Sequence, residues 1–236
     1  MQKIMRYTRA AVDKYGMIEN GDKIAVGVSG GKDSLMLLWA LAQLKRFYPH
    51  GFELTAVTAD PCFGGKETDF SGVEALCKGL GVQYVLRRTH LGEIIFEERK
   101  EKNPCSLCAR MRRGILHNMA KEAGCNKIAL GHHYDDAVQT FVMNLIYGGR
   151  IGCFSPKTYL SRKDITLIRP LIFCMEKELA AGARRLSLPV VKSLCPADGS
   201  TSRKKAADMI SSLQKTEPDI KAKIMGAMQR AGLDGW

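Results

Sequence analysis

Residues 28–34, which read Val-Ser-Gly-Gly-Lys-Asp-Ser, carry the clearest chemical signal in this chain. They lie between an apolar run at residues 23–27 and a helix-like segment at residues 35–44. A strand that passes directly into a helix through a glycine turn exposes backbone N–H groups, and the helix dipole adds positive potential there. The segment therefore predicts a phosphate site rather than a turn without a ligand. Lys32 is followed by Asp33 instead of a hydroxyl residue, which excludes the common Gly-x-x-x-x-Gly-Lys-[Ser/Thr] nucleotide loop.

A second polar segment, Gly-His-His-Tyr-Asp-Asp at residues 131–136, ends another predicted strand and opens a predicted helix. Acidic residues at a helix N-terminus can simply complement the helix dipole. If this strand end shares a rim with the first loop, the carboxylates of Asp135 and Asp136 instead suit a magnesium ion that bridges nucleotide phosphates. His132 and His133 are an alternative, as zinc ligands, but adjacent histidines point in different directions in most backbone geometries.

The chain contains eight cysteines: Cys62, Cys77, Cys105, Cys108, Cys125, Cys153, Cys174 and Cys195. Cys105 and Cys108 form a Cys-x-x-Cys pair among basic residues, which we expect to lower the thiol pKa and to favour the thiolate. Cys195, after a predicted strand, is the best third member of this group. One such pair is compatible with zinc, with a redox dithiol or with an iron–sulfur cluster. Without an export signal a disulfide framework is not expected, and most of the other cysteines are interpreted as small core residues.

The Ser-Gly-Gly-x-Asp-Ser order resembles the PP-loop of the ATP pyrophosphatase superfamily, whose members cleave ATP between the α and β phosphates and activate a substrate as its adenylate. The resemblance implies that the loop wraps the leaving pyrophosphate, that Asp33 lies near magnesium, and that the segment at residues 131–136 lines the ATP site. The nucleotide-binding residues would be Ser29, Gly30, Gly31, Lys32, Asp33, Ser34 and Gly131. The catalytic residues would be Asp136, Asp135, Lys32 and Asp33, with Asp136 ranked before Asp135.

Further motifs narrow the resemblance to the tRNA cytidine 2-sulfurtransferases, which make 2-thiocytidine in the anticodon loop. They are Pro-Cys-x-x-Cys at residues 104–108, Gly-His-His-x-Asp-Asp-Ala at residues 131–137, Arg-Pro-Leu at residues 169–171, and Cys195. This resemblance covers most of residues 1–200. It implies a [4Fe-4S] cluster held by only three cysteines, Cys105, Cys108 and Cys195, so that one iron stays open for a sulfide.

The reaction that this resemblance implies begins when the C2 oxygen of a cytidine, at tRNA position 32, attacks the α phosphate of ATP. Pyrophosphate leaves into the loop, where N–H dipoles, Lys32 and magnesium stabilise its charge. Sulfide on the open iron then attacks C2, and AMP leaves. The implied partners are tRNA, a sulfur donor (a cysteine desulfurase or inorganic sulfide) and a second copy of the chain in a homodimer.

Other functions remain open at this point. Archaeal-type tRNA uridine thiolases carry extra Cys-x-x-Cys pairs in flanking zinc fingers, whereas this chain has one pair, and lysidine-forming tRNA ligases lack the cysteine trio. A PP-loop enzyme that adenylates a small molecule or a free base would keep the loop. A sulfurtransferase without a cluster could carry a persulfide on Cys105 or Cys108 instead. A nucleotide-binding or redox-sensing module would bind ATP without catalysis.

A parallel sheet is needed to position these residues. Short apolar runs predict strands at residues 23–28, 54–59, 84–88, 127–131, 165–173 and 190–194. Helices are expected at residues 35–47, 70–80, 105–123, 134–147 and 176–188. The alternation predicts an α/β fold with a doubly wound parallel sheet, in which ligands bind beyond the C-terminal strand ends. We expect a PP-loop ATP pyrophosphatase domain at residues 1–200 and a small, basic, helical C-terminal appendage at residues 201–236.

The charge of the chain is strongly positive. Its 236 residues include 36 Lys and Arg against 24 Asp and Glu, a formal net charge of +12. This excess favours a polyanionic partner such as RNA, because basic helices suit phosphate backbones. No apolar run approaches the roughly 18 residues of a membrane span, and the N-terminal residues do not resemble a secretory signal. We therefore expect a cytoplasmic protein that does not enter a membrane.

Overall fold

A computed structural model provides the structure of the protein and describes residues 1–99, 104–196 and 202–236. The strands are β1 (Asp22–Gly27), β2 (Phe52–Asp60), β3 (Gln83–Arg88), β4 (Lys127–Ala129), β5 (Lys157–Leu160) and β6 (Ile165–Ile168). The helices are α1 (Gln2–Lys14), α2 (Lys32–Leu44), α3 (Ser71–Leu80), α4 (Leu91–Glu93), α5 (Pro104–Glu122), α6 (Tyr134–Gly148), α7 (Glu176–Arg185), α8 (Ser202–Leu213) and α9 (Ile220–Arg230). Short helical turns lie at Phe63–Gly65, Ile94–Glu98 and Leu233–Gly235. Among these described helices, none combines the length and the hydropathy needed to cross a membrane.

The six strands of the described ranges form one sheet in the order β3-β2-β1-β4-β6-β5. All neighbouring strands are parallel except β5 and β6, which are antiparallel. From β1 the chain moves outward through β2 and β3, and then returns to add β4 on the other side of β1. The predicted doubly wound α/β sheet is therefore confirmed. Its switch point lies between β1 and β4, where open α/β sheets bind ligands at the carboxyl ends of the strands.

Helix α2 is apolar on nearly every side, and its leucines Leu35, Leu37, Leu38 and Leu41 are fully buried. A helix of this kind must be covered all round, and α2 packs against β1, α1, α3 and α7. The burial fixes α2 rigidly at the centre of the fold. Because the Ser29 loop leads directly into α2, the same burial also fixes the loop.

The sheet differs from the sequence prediction on the side of β6. The strand predicted at residues 165–173 ends at Ile168, because Pro170 has no N–H group to donate to a ladder. The strand predicted at residues 190–194 does not form. The sequence pattern also gives no indication of α1 or of β5, which closes the sheet as an antiparallel edge.

The C-terminal residues from α8 onward are helical, as expected, and α8 and α9 pack against α6. The expected boundary between residues 200 and 201 lies outside the described residues. The end of the chain is attached to the segment before β5. There the indole N–H of Trp236 donates to the carbonyl of Phe154 at 2.9 Å, and Asp234 accepts from the N–H of Cys153 at 2.7 Å.

Candidate functional site

The loop between β1 and α2 is closed by its own hydroxyl groups. Ser34 Oγ donates to the carbonyl of Gly31 at 2.8 Å and lies 3.1 Å from the N–H of Ser29, which donates to it. Helix α2 starts at Lys32, with Gly31 at the N-cap and no side-chain cap. Since the first N–H groups of a helix lack intrahelical partners, the absence of a capping side chain leaves them available for an anion.

Gly30 joins this loop to the segment that leads to Cys195. Its carbonyl accepts from the N–H of Val191 at 2.9 Å, and its φ of +82° is a conformation that favours glycine. A Cβ at this position would lie only 2.8 Å from the Cβ of Val191 and 3.2 Å from Phe70. The residues predicted as a sixth strand therefore serve instead as a support for the phosphate loop.

Gly131 brings the end of β4 against the start of α2. A Cβ on Gly131 would lie 3.1 Å from the carbonyl carbon of Asp33 and 3.1 Å from the nitrogen of Ser34. Only a residue without a side chain fits this approach. The two segments identified in the sequence thus meet at one rim, as the sequence predicted.

Asp33 and Asp136 face each other across this rim, with His133 between them. The Nε2 atom of His133 lies 3.8 Å from Asp33 Oδ2 and 3.5 Å from Asp136 Oδ2. Lys32 Nζ lies 3.0 Å from Asp33 Oδ2 and 3.0 Å from Glu176 Oε1. Burial raises the pKa of Asp33, and the nearby carboxylate of Asp136 adds to this rise, while His133 and Lys32 oppose it. Asp33 Oδ1 is buried and has no hydrogen-bond partner among the described residues.

Asp135 and Asp136 occupy different environments although they are adjacent. Asp136 lines the cavity described below, and its Oδ1 accepts from Arg203 at 2.7 Å. Asp135 is buried away from that lining and accepts from the N–H of Glu176 and from Lys221 Nζ, each at 2.7 Å. Burial favours a higher pKa for Asp135, but these two donors outweigh it and the net pKa is lowered. Asp135 therefore links α6 to α7 and α9, and its catalytic role stays a prediction.

One cavity of about 790 Å³ extends from the phosphate loop to the cysteines. Its lining includes Ser29, Gly31, Asp33, Ser34, Gly131 and Asp136 at one end. Cys105, Cys108 and Cys195 line the same cavity. Gly30, Lys32 and Asp135 are outside this lining, although Gly30 and Lys32 belong to the loop. The structure thus places the predicted nucleotide loop and all three predicted cluster ligands around one space.

The three thiols interact electrostatically. Burial raises the pKa of Cys108, the nearby Arg112 opposes this, and Cys195 and Cys105 add to the rise. The expectation that basic surroundings lower the thiol pKa is therefore wrong for Cys108, because burial outweighs the guanidinium. Among the described residues, no three His, Cys, Asp or Glu side chains are already arranged as a metal site. The donor set itself, three thiols on one cavity wall, fits an iron–sulfur cluster chemically.

His132 and His133 point to different surroundings, as expected for adjacent histidines. The ring of His132 packs against Phe154, with 5.0 Å between ring centroids, whereas His133 faces the carboxylates of the rim. Burial lowers the pKa of His132 to about 4, and Arg169 contributes to the shift. Joint chelation of zinc has no support from this arrangement.

Sequence reasoning assigned no role to two other polar residues at strand ends on this cavity. Asp60 ends β2 and accepts from Thr68, at 2.8 Å from the backbone nitrogen and 3.0 Å from Oγ1. Arg169 follows β6 and is buried. Both line the cavity. For Asp60 the available signal was its position directly after a predicted strand, because parallel strands end at the same rim. Arg169 lay inside the run predicted as a strand at residues 165–173, and its signal was a charged residue before the proline of the Arg-Pro-Leu motif.

Comparisons with known proteins agree with this geometry. Residues 2–198 match the PP-loop domain family. The tRNA-cytidine(32) 2-sulfurtransferase of Syntrophotalea carbinolica is 39% identical over 230 residues, which cover 96% of this chain and 88% of that protein. The protein of the same name from Geobacter sulfurreducens is 37% identical over 230 residues, with 96% and 89% covered. The U34-tRNA thiolase NcsA from Methanococcus maripaludis, solved with its [4Fe-4S] cluster, superposes with a TM-score of 0.76 at 27% identity, covering 97% of this chain and 78% of that one.

Proposed function

The chain belongs to the PP-loop family of tRNA-cytidine(32) 2-sulfurtransferases, and from this premise we propose that it replaces the C2 oxygen of cytidine 32 in tRNA with sulfur, using ATP. The observation that carries the proposal is the single cavity lined by the phosphate loop and by Cys105, Cys108 and Cys195. A cytidine is favoured over a uridine as the target. The identity is 39% to a cytidine 2-sulfurtransferase and 27% to a uridine thiolase.

The loop end of the cavity binds ATP and receives pyrophosphate. The uncapped start of α2 offers N–H groups to the phosphates, and Lys32, paired with Asp33 and Glu176, adds a cation beside them. Asp33 and Asp136 would hold a magnesium ion, which neutralises phosphate charge when it is bound. The buried Asp33 Oδ1 without a hydrogen-bond partner supports this assignment, since such an atom needs a ligand.

Cys105, Cys108 and Cys195 would hold a [4Fe-4S] cluster at the other end. When bound, the cluster supplies an iron site for the sulfur that enters the product. The three cysteines thereby hold this sulfur in the same cavity that receives the activated base. Adenylation and sulfur transfer then take place in one space. The sulfur comes from inorganic sulfide, or from the persulfide of a cysteine desulfurase after two thiols have reduced it to hydrosulfide and become a disulfide.

The chemistry balances without a side-chain nucleophile. The C2 oxygen of cytidine attacks the α phosphorus of ATP, and the bond to pyrophosphate breaks, so that C2 carries an adenylate. Hydrosulfide then attacks C2 and loses its proton, while the C2 oxygen leaves with AMP. Lys32 and the loop N–H groups stabilise the charge of the departing pyrophosphate.

The test is a thiolation assay on protein purified without oxygen. Wild type, Cys105→Ala, Cys108→Ala and Cys195→Ala are compared for iron per chain, AMP formation and 2-thiocytidine, with unmodified tRNA and with tRNA carrying uridine at position 32. We expect AMP and 2-thiocytidine only with cytidine at position 32, and no 2-thiocytidine from the three variants. AMP formation that does not respond to RNA would contradict the proposal and indicate a small-molecule adenylating enzyme. Thiolation by iron-free wild type would indicate a persulfide instead of a cluster.

A further inference from the structure

Besides Arg203, which pairs with Asp136, three guanidinium groups line the cavity that the three thiols also line. They belong to Arg112 and Arg113 on α5 and to Arg169 directly after β6. None of the three forms an ion pair with a carboxylate in residues 1–99, 104–196 or 202–236. The carboxylates that line the cavity, by contrast, have partners. Asp33 is paired with Lys32 and Asp136 with Arg203, and Asp60 accepts from Thr68.

Arg169 is the most buried of these cations. Only 7% of the residue is exposed, and its guanidinium lies 4.7 Å from the ring centroid of Phe154. It donates to the carbonyl of Ser155, but its Nε is buried without a partner among the described residues. Burial lowers the pKa of Arg169 to about 10, and Arg113 contributes to this shift. A cation buried without a counter-ion is costly, so this position suits an anion that arrives with a ligand.

Other nitrogen atoms on the same wall are also unsatisfied. Arg112 Nε, His117 Nε2 and His132 Nδ1 are buried and have no hydrogen-bond partner in the described part of the chain. All three residues line the cavity together with Arg169. Buried polar groups in native proteins nearly always have partners. Four such atoms around one cavity therefore indicate a polar ligand rather than an accident of packing.

The position of Arg112 places one end of this subsite beside a thiol. Cys105, Cys108 and Arg112 recur at helical spacing on the cavity side of α5, and Arg112 Nη2 lies 3.9 Å from Cys108 Sγ. An anion bound by Arg112 would therefore lie beside Cys108, where C2 of the target base must arrive. Guanidinium groups recognise phosphate by paired N–H donors.

The exposure of the basic residues also favours a polymer as the source of this phosphate. Arg110 and Arg113 are exposed, Arg112 is half-buried and Arg169 is buried, so positive charge continues from the outer surface into the cavity. An RNA loop approaches such a surface through its backbone. A nucleotide that is turned out of its loop brings the adjoining phosphate with it.

We propose that Arg112, Arg113 and Arg169 form a phosphodiester subsite that holds the RNA backbone beside the target cytidine while its C2 faces the thiols. This inference rests on the proposed function and adds to it a second phosphate site, separate from the loop that binds ATP. Arg113 contacts the RNA backbone at the entrance of the cavity, and Arg169 binds the phosphate inside the cavity.

The test compares Arg169→Met and Arg113→Gln with Arg162→Gln as a matched control. Arg162 is an exposed arginine in the turn before β6 and is outside the cavity lining. The probe is a synthetic anticodon stem-loop with cytidine at position 32, either unmodified or with one methylphosphonate in place of a phosphate flanking that cytidine, the preceding ribose being 2′-O-methylated. RNA affinity is measured by fluorescence anisotropy and MgATP affinity by calorimetry.

We expect Arg169→Met to weaken binding of the unmodified RNA roughly 10- to 100-fold, the usual effect of losing a hydrogen bond to a charged group. MgATP affinity and bound iron should stay within twofold of the control. Wild type should lose a similar factor when the flanking phosphate is neutral, and Arg169→Met should lose little more. Arg113→Gln should show the same pattern with a smaller loss, which keeps the test valid if Arg169→Met does not fold.

Four outcomes would overturn the inference, and they have different meanings. If the loss of RNA affinity from Arg169→Met and the loss from the neutral linkage multiply fully when the two changes are combined, the arginine does not contact that phosphate. Weaker MgATP binding with unchanged RNA binding would assign the subsite to a nucleotide phosphate. Variants that behave like Arg162→Gln, in a wild type that binds and thiolates RNA, would remove the subsite alone. Wild type that neither binds the stem-loop nor makes AMP with it would remove the proposed function as well.

Discussion

Gly30→Ala should strain the phosphate loop. At position 30 the backbone angle is unfavourable for an L-residue, and the space is too small for a Cβ. The φ of Gly30 is +82°, and left-handed backbone costs an L-residue roughly 1–2 kcal/mol. The added Cβ would overlap Val191 at 2.8 Å, and overpacking of this kind costs about 1–3 kcal/mol. The total penalty is therefore about 2–5 kcal/mol.

This penalty can be measured as lower stability or as weaker binding. For a chain of this size, 1 kcal/mol corresponds to roughly 2–4 °C in melting temperature, so the full penalty lowers it by about 4–20 °C. If the loop moves away from Val191 instead, the fold keeps its stability and MgATP affinity falls about tenfold for each 1.4 kcal/mol. Thermal melting and calorimetry with MgATP together capture both losses.

Gly79→Ala is the matched control. Gly79 lies within α3, is exposed and has no atom within 4 Å of an added Cβ. Alanine in a helix interior is favoured over glycine by roughly 0.5–1 kcal/mol, so the control should melt slightly higher and bind MgATP normally. Equal melting and equal MgATP affinity of the two variants would refute the strain argument at Gly30.

Other changes test the remaining contacts. Cys195→Ala should abolish thiolation and lower the amount of iron per chain, both measured on protein purified without oxygen. Cys62, which is half-buried like Cys195, provides the control, and Cys62→Ala should keep both thiolation and iron. Unchanged iron in Cys195→Ala would contradict the cluster assignment. Lys221→Ala should lower the free energy of unfolding by about 3 kcal/mol, which is the low end of the range for breaking a buried ion pair. The low end applies because the side chain of Lys221 is 31% exposed. The lowered pKa of Asp135 means that this carboxylate stabilises the fold above its unfolded pKa of roughly 3.9 and that the stability is lost as pH falls through the folded pKa. Melting curves against pH should therefore show a smaller acid-induced loss in Lys221→Ala than in wild type, and an equal loss would exclude the pair as the cause. RNA affinity should fall steeply with salt, with a slope of roughly 0.7 for each single-strand phosphate contact, and a flat response would contradict binding by the basic helices.

The sheet and the loop could be predicted from sequence because their signals are local. Residues 23–28 and 54–59 are continuous apolar runs, the pattern of strands buried on both faces, and β1 and β2 lie there. The same pattern was misleading at residues 190–194. Val190 and Val191 favour a strand by residue type, but they pair with none of the six strands of the sheet, and the N–H of Val191 donates to Gly30 in the loop instead.

The partners of the site carboxylates could not be predicted in the same way. Arg203 pairs with Asp136 across 67 positions, and Lys221 pairs with Asp135 across 86 positions. No periodicity or motif encodes contacts of this range. The different roles of two adjacent aspartates follow from helix geometry, since neighbouring residues on α6 point about 100° apart, and only the packing shows which one faces the cavity.

The pairing of these aspartates with α8 and α9 has a consequence for the order of events during translation. A chain emerging from the ribosome folds from its N-terminal part first, so the sheet, the loop and α6 are available before α9. Until α9 docks, Asp135 lacks the ammonium of Lys221, and the N-terminus of α6 holds a buried carboxylate without its counter-ion. The two acidic residues at the start of α6 therefore gain their basic partners only after nearly the whole chain has been made.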